Sequence, residues 1–427
     1  MNILIAGGAW PYTVNSKEAA NVISHQICSH LLDAPDLDVR YVVINSTDVD
    51  LPVEAMPDLE DLKRRGMRVL NPIKLERRNG LVNKLKKLFY ISVGRAEHLL
   101  DGFGQEHLLD SSLQGWKPDA VLVVWAETAA NFVCRFPAVR FNYAGNPENK
   151  VFAARSELQA VLGVGLLSRL KSNLIERVIR AGHHNVMRRY HHLWNVAAND
   201  AANYQTAGIN AHYLQNMWPS SNMTNWETTR DNYEKLEPVK IAGSVGNIGA
   251  TGNSFGLITL CDDVIPALRK QLGAGNFEVH LFGGGTPHAA VEPKLNEPEI
   301  KVRGFVDEID KELLEAPIFL ITNNSRRFKV GHTRFLHAWS LGACVVAFRD
   351  SCEAMPEIRN DYNALLGDSA EEIAALIARA KSDKSLRRRI GSGGVETLKT
   401  YFSPQKVCGE IQKQMQAKMQ SKDKTTS

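Results

Sequence analysis

Between residues 326 and 334 the chain sets Arg326, Arg327, Lys329, His332 and Arg334 within one turn-sized stretch and places no acid among them. The apolar run Pro317–Thr322 precedes it. The segment from His332 onward reads as a helix that Gly342 would stop. A helix start offers unpaired backbone N–H groups and the positive end of the peptide dipoles, which together attract an anion. Guanidinium forks added to that start suit a diphosphate, because each charge-assisted hydrogen bond contributes about 1.5–3 kcal/mol. A solvated basic loop is the competing reading. The place of the stretch, after a strand and before a helix, favours an anion site.

Other segments fall at similar positions. "GSVGNIGATGNS" (243–254) follows one apolar strand, and its Gly246 and Asn247 would bring backbone N–H groups near a phosphate. "HLFGGGTPH" (280–288) places Gly284 and Gly285 where backbone could approach a ligand, although a plain tight turn fits as well. Glu127 in "WAET", with Gly8 and Trp10 in "GGAWPYTVN" and Asn146 in "NYAGNPENK", marks three further loops after strands. Glu127 is the best-placed carboxylate of that group. Glu353 and Glu357 follow a later strand, where an acid complementing a helix dipole is the alternative to a binding role.

The elements that would position these loops follow a repeating pattern of apolar strand, turn and amphipathic helix. Asn15 and Glu18 have capping-box spacing ahead of a helix whose Ala20, Ile23, Ile27 and Leu31 form one stripe. Runs at 2–6, 39–44, 120–124, 138–142 and 193–198 are mostly apolar, as strands buried on both faces of a parallel sheet are. A polar stretch, 216–238, reads as a linker, after which the alternation restarts with expected helices at 254–272, 307–315, 332–341 and 369–380. The sequence thus divides into an N-terminal Rossmann-like domain (1–215), a linker (216–238), a second such domain (239–400) and a C-terminal helix with a frayed tail (401–427). The fold class is α/β, with two doubly wound Rossmann-like domains facing across a cleft, and ligands in such sheets bind at the strands' carboxyl ends.

Composition narrows the function. A length of 427 residues predicts two domains, and 44% apolar with 23% charged residues is the balance of a soluble globular protein. The net charge of +4 argues against a general nucleic-acid binder, and six scattered cysteines without a Cys-x-x-Cys pair read as reduced thiols. The N-terminus has no basic segment before its short apolar run, and no stretch approaches the ~20 residues that span a bilayer. A cytoplasmic protein is expected. Two basic amphipathic stretches, 78–95 and 166–194, could also lie on the inner face of an anionic membrane, or be ordinary surface helices. Dehydrogenation is disfavoured, since no Gly-x-Gly-x-x-Gly opens the first helix.

The ordered segments "IAGSVGN…GLITL", "FEVHLFGGG", "IKVRGFVDEIDKELLEAPIFLIT", "GHTRFLHAWSLGACVVA" and "MPEIRNDYNALLG" resemble the donor domain of GT-B glycosyltransferases, most of all the retaining glycosyltransferase family 4. The resemblance covers about 240–400; the first half matches in general layout, as an acceptor domain would. It implies that Gly331, His332, Thr333 and Arg334 face the donor's phosphates or sugar and that Glu357 lies near the donor pocket. The positions of His337 and Lys329 would ordinarily hold two glutamates, one of them bonding the ribose hydroxyls, and the basic pair usual in the loop after the first strand is missing. The basic charge of Arg326, Arg327, Lys329 and Arg334 would take over phosphate neutralisation. With it come the expected catalytic residues Arg334, Lys329 and Glu127, no metal and no cofactor beyond the nucleotide-sugar donor, and an acceptor that is a cell-surface polysaccharide or glycolipid. Two alternatives stand beside transfer: an inactive relative that holds a partner, and a sugar-nucleotide epimerase of the same fold.

Overall fold

The computed structural model describes the chain apart from residues 14–15, 17–18, 48–49, 77–85, 87–88, 164, 219–225, 323–331 and 427, and at 148, 244, 332 and 421–426 it describes the backbone alone. The expected capping pair, Asn15 and Glu18, lies outside the described residues, as do Arg326, Arg327, Lys329, Gly331 and much of 78–95.

Two parallel sheets organise the molecule. The first contains β1 (Asn2–Gly7), β2 (Asp38–Asn45), β3 (Arg68–Val69), β4 (Ile73–Lys74), β5 (Ala120–Val124), β6 (Val139–Ala144), β7 (His192–Asn195) and β8 (Ala211–Tyr213). Its order is β3-β2-β1-β5-β6-β7-β8, with β4 also paired to β2. The second contains β9 (Val239–Val245), β10 (Phe277–Phe282), β11 (Ile300–Gly304), β12 (Ile318–Ile321), β13 (Cys344–Phe348) and β14 (Leu365–Gly367), in the order β11-β10-β9-β12-β13-β14. The all-apolar strands explain themselves here, because successive residues feed opposite layers. Ile3, Ile5, Tyr41 and Leu122 pack on one face of the first sheet, and Leu4, Ala6, Val42 and Val121 on the other. In the second sheet Ile241, Val279 and Leu320 lie on one face, while Ala242, Phe319 and Val345 lie on the other.

Strand order reverses between β1 and β5 in the first sheet and between β9 and β12 in the second. Open parallel sheets bind ligands outside the carboxyl ends of the strands at such switch points. Glu127 follows β5 and Gly246 follows β9, so these two described segments stand at the switch points of their sheets.

The helices used below are α1 (Ala19–Leu32), α2 (Glu127–Val133), α3 (Leu166–Met187), α4 (Ala198–Thr206), α5 (Trp226–Tyr233), α6 (Thr251–Thr259), α7 (Ile309–Leu314), α8 (His332–Ser340), α9 (Ala370–Ser382), α10 (Lys384–Tyr401) and α11 (Pro404–Thr426). By contacts the chain forms an N-terminal unit of residues 1–150, 173–217 and 404–427 and a C-terminal unit of 151–172 and 218–403.

Several boundaries differ from the sequence reading. The expected strand 193–198 ends at Asn195, whose side-chain Oδ1 accepts from the Ala197 amide and turns the chain into α4. The helix expected at 254–272 starts at Thr251 and passes through a wider π turn, Leu260–Val264, before continuing over Ile265–Leu272. Within the expected linker, α5 is packed. Arg230 is buried and donates to the carbonyls of Leu341 and Ala316, closing the C-terminal end of α8. The expected C-terminal helix is α11, which continues through the stretch expected to fray, and its Val407, Cys408, Ile411 and Met415 are buried in one core layer with Ile27 and Leu31 of α1.

Candidate functional site

In the C-terminal unit, Arg334 sits in the first turn of α8. Its Nε donates to the Val245 carbonyl at 3.1 Å, and its Nη2 donates to Asn253 Oδ1. The guanidinium therefore ties α8 to the end of β9 and to the start of α6. Burial pushes its pKa down to about 10, so it remains charged at neutral pH. A charged guanidinium at a helix start attracts an incoming anion.

The glycine loops meet beside it. Gly246 (φ 115°) donates from its amide to the Phe282 carbonyl, and the Ile248 amide donates to the Gly284 carbonyl. A Cβ on Gly283 would lie 1.9 Å from the Gly246 carbonyl oxygen, and one on Gly285 would lie 2.1 Å from Asn247 Oδ1. Asn247 Oδ1 in turn accepts from the Gly249 amide at 2.9 Å. Gly246 and Asn247 thus form a tight loop ahead of α6, and the triple glycine is explained first by its close approach to that loop. Gly284, with no atom near its missing Cβ, is the open member of the three. Thr333 is half-buried at the start of α8. His332 opens the same helix, with only its backbone described.

His337 lies further along α8. Its Nε2 donates to Asp310 Oδ1 on α7 at 2.7 Å, and its ring stacks on Trp218 with centroids 5.4 Å apart. The bond from His337 holds the Asp310 carboxyl below its ordinary pKa. One edge of the imidazole is therefore engaged within the unit. Glu357 is half-buried in a loop that Asn363 pins: Asn363 Nδ2 donates to the Glu357 carbonyl and to Thr397 Oγ1. Glu353 is exposed at the end of a short 3-10 turn, Arg349–Glu353.

In the N-terminal unit, Glu127 begins α2 and lines a cavity of about 240 Å³ with Trp125, Ala126, Asn142, Ala144, Gly145 and Asn146. Glu127 and Asn146 are thus brought together, as the sequence suggested. Gly8 approaches the same end of the sheet, since a Cβ there would meet that of Ala126 at 3.4 Å. Trp10 does not present its ring to this cavity. It is buried at 7% exposure in the apolar layer containing Tyr41 and Tyr12, where burying its ring removes apolar surface from water.

Sequence reading missed what stands behind Glu127. His183 on α3, fully buried, places Nδ1 3.1 Å from Glu127 Oε2 and Nε2 2.5 Å from the Tyr204 hydroxyl on α4. Lys150 pairs with the buried Asp200 nearby in the chain's own core, and burial raises the Asp200 carboxyl. The two histidines of "AGHHNV" are the signal for it, in a stretch whose pattern is otherwise that of a basic amphipathic helix. Among the described residues, no cluster of three His, Cys, Asp or Glu side chains is arranged to hold a metal ion, and no helix is long and apolar enough to cross a membrane.

Residues 239–383 match the protein family described as glycosyl transferases group 1. No curated protein matches the chain. Solved structures share its fold over nearly the whole length. Anabaena HepE in complex with UDP and glucose is 13% identical, covering 97% of this chain and 99% of that one with a TM-score of 0.57. Sucrose-phosphate synthase from Thermosynechococcus elongatus is also 13% identical, with coverages of 97% and 99% and a TM-score of 0.63. WaaG, a glycosyltransferase involved in lipopolysaccharide biosynthesis, is 14% identical, with coverages of 96% and 99% and a TM-score of 0.58. The family match lies on the unit that carries Arg334 and the glycine loops, and two parallel α/β units with these neighbours are the GT-B arrangement. The chain has the GT-B fold, and its residues 239–383 carry a domain that matches the glycosyl transferases group 1 family.

Proposed function

We propose that the chain transfers a sugar from a nucleoside-diphosphate sugar to a hydroxyl of a cell-surface polysaccharide or glycolipid, with retention at the anomeric carbon. The carrying observation is the convergence of Arg334, the Gly246–Gly249 loop and the starts of α6 and α8 within the family-matched unit. In the reaction the bond from the anomeric carbon to the diphosphate oxygen breaks, a bond to the acceptor oxygen forms, and the acceptor's proton passes to the departing phosphate. Arg334, with Lys329, Arg326 and Arg327 of the preceding stretch, neutralises the charge that develops on the diphosphate. His332, Thr333, Gly331 and Glu357 are assigned to the donor side, and Glu127 with Asn146 to the acceptor side. HepE, a structural neighbour, was captured with UDP and glucose, which makes UDP-sugars the first donors to test.

The test is calorimetric titration with UDP, GDP and their sugars, paired with donor hydrolysis. Arg334→Ala, which loses charge-assisted bonds, should weaken nucleotide binding roughly 10–100-fold and abolish hydrolysis. Arg334→Lys should retain a measurable part of the binding. Circular dichroism checks that both variants stay folded, because Arg334 also braces Val245 and Asn253. Wild-type activity in Arg334→Ala rejects the donor-site assignment.

A second reading, a partner-holding protein without transferase activity, draws on His337. Its Asp310 bond and Trp218 stack occupy an imidazole edge that a ribose would need. Absence of binding to every nucleotide in the titration would favour it.

A membrane-bound acceptor is supported by α3. Leu166, Leu167, Leu170 and Leu174 are exposed, Leu167 at 84%, and share one side of the helix. Lys171 and Arg177 lie exposed beside that stripe, whereas Glu176, His183 and Met187 are buried on the opposite side. Basic residues flanking a bare apolar stripe suit peripheral contact with an anionic leaflet.

A further inference from the structure

The cavity beside Glu127 has a chemistry of its own. Its volume of about 240 Å³ is below the ~300–1,000 Å³ of sites that enclose larger ligands, and leaves room for a single ring. Its lining combines Trp125, the carboxylate of Glu127 and the carboxamide of exposed Asn146, while buried Asn142 donates its Nδ2 to Met187 Sδ in the core. Carboxylates and carboxamides accept or donate in pairs, which matches the adjacent hydroxyls of a sugar, and an indole covers the apolar C–H face of such a ring.

Trp125 is held in an unusual backbone conformation for this purpose. Its φ of 47° lies in the left-handed region that bulky residues avoid, and its amide donates to the Tyr143 carbonyl to stay there. Strain of this kind persists where the surrounding structure enforces it, and it gathers at ligand sites. The residue opposite is Gly145, where a Cβ would stand 3.5 Å from the indole; the glycine leaves that part of the ring uncovered. The indole Nε1 is buried and has no hydrogen-bond partner among the described residues, so a donor waits beside the cavity.

Glu127 is the one group in the lining with a relay behind it. The buried phenol of Tyr204 stays protonated, since burial raises its pKa well above the ordinary value. Its hydroxyl lies 2.5 Å from His183 Nε2, and the other ring nitrogen, Nδ1, faces Glu127 Oε2 at 3.1 Å. That contact is within ion-pair range though not aligned as a hydrogen bond. One carboxylate oxygen thus has the His183 ring against it, while the Glu127 side chain, 24% exposed, remains on the cavity wall.

We propose that this cavity is a subsite for one neutral pyranoside ring of the acceptor, seated on Trp125 and held through its hydroxyls by Glu127, which His183 and Tyr204 position. The inference rests on the glycosyltransferase reading for the word acceptor, but the subsite is defined by its own lining.

Saturation-transfer NMR on the full chain tests it, with the methyl pyranosides of glucose, galactose, mannose and N-acetylglucosamine as probes at millimolar concentration. At least one should give transfer to its ring protons, and Trp125→Ala and Glu127→Gln should each weaken that binding roughly tenfold or more. Silence from all four glycosides, or binding unchanged in Trp125→Ala, overturns the subsite. For the positioning residue, His183→Asn keeps a side-chain N–H near the Nδ1 position and should retain glycoside binding, whereas His183→Leu should lose it. Equal binding by both folded variants overturns the relay. Nucleotide titration of the same samples separates the two readings: glycoside binding without nucleotide binding leaves the subsite and removes the donor assignment, and the reverse removes the subsite alone.

Discussion

At the residue scale, charge and backbone space are decided together. Arg334 is costly to bury, yet it is surrounded by Val245 and Asn253 oxygens and stands at a helix start. The glycines beside it are required for a different reason. Gly283 has φ 123°, and a methyl group there would collide with the Gly246 carbonyl. Gly283→Ala should therefore destabilise the C-terminal unit by about 2–4 kcal/mol through strain and forced displacement, lowering its thermal midpoint and weakening nucleotide binding. Gly284→Ala, which meets open space, should do neither. Differential scanning calorimetry of the two variants, with UDP titration, checks the contrast. Two histidines give a pH expectation in the N-terminal unit. Burial, reinforced by neighbouring His183 at His184 and His212 at His192, lowers both from 6.5 to about 4. Unfolding frees each to take up a proton in that interval, so the stability they permit is full above pH 6.5 and falls as pH drops towards 4. Urea midpoints followed from pH 7.5 to 4 should decline across this window, and the pair His184→Gln with His192→Gln should flatten the decline.

At the element scale, what sequence patterning could disclose depends on how an element is used. The helix start after β12 and the glycine stop at Gly342 were legible because helix starts and stops have local chemistry. Gly342 is left-handed at φ 60°, and a Cβ there would strike Trp226, a contact no local pattern discloses. For the same reason α5 was hidden. Its composition is polar, and only tertiary structure shows Arg230 capping the carbonyl of Leu341. The Glu127–His183–Tyr204 line was equally illegible, since its members come from α2, α3 and α4, and His183 lies on a helix whose other side is bare. That bare side carries the next expectation. Leu167→Glu with Leu170→Glu removes apolar contact and adds negative charge, so the full chain should lose cosedimentation with phosphatidylglycerol-rich vesicles while keeping its nucleotide affinity and its melting temperature. Undiminished vesicle binding would remove α3 from the membrane reading.

At the scale of the whole molecule, the parallel α/β class was legible from strands apolar on both faces, and the switch points followed once the sheet orders were known. Sequence could not give the assignment of 404–427. Its Gln and Lys content disguises a stripe at 407, 408, 411 and 415, which the N-terminal unit buries. Deleting 404–427 removes four buried apolar side chains, each worth about 1.5–3 kcal/mol, and should leave the N-terminal unit unfolded or molten rather than trimmed. Loss of the cooperative transition of that unit, read by near-UV circular dichroism and amide exchange, is the expected outcome. A truncated chain of wild-type stability would show that α11 is dispensable.

The place of α11 also sets a schedule for synthesis. Residues 1–150 leave the ribosome early, but the side of α1 that holds Ile27 and Leu31 stays without its cover until 404–427 have been made. Over that interval the nascent chain carries an exposed apolar stripe, the kind of surface that recruits chaperones. The C-terminal unit, by contrast, has all its parts once residue 403 has emerged. The unit that begins first is the one that finishes last, so pulse-chase proteolysis of the growing chain should find the second half resistant before the first.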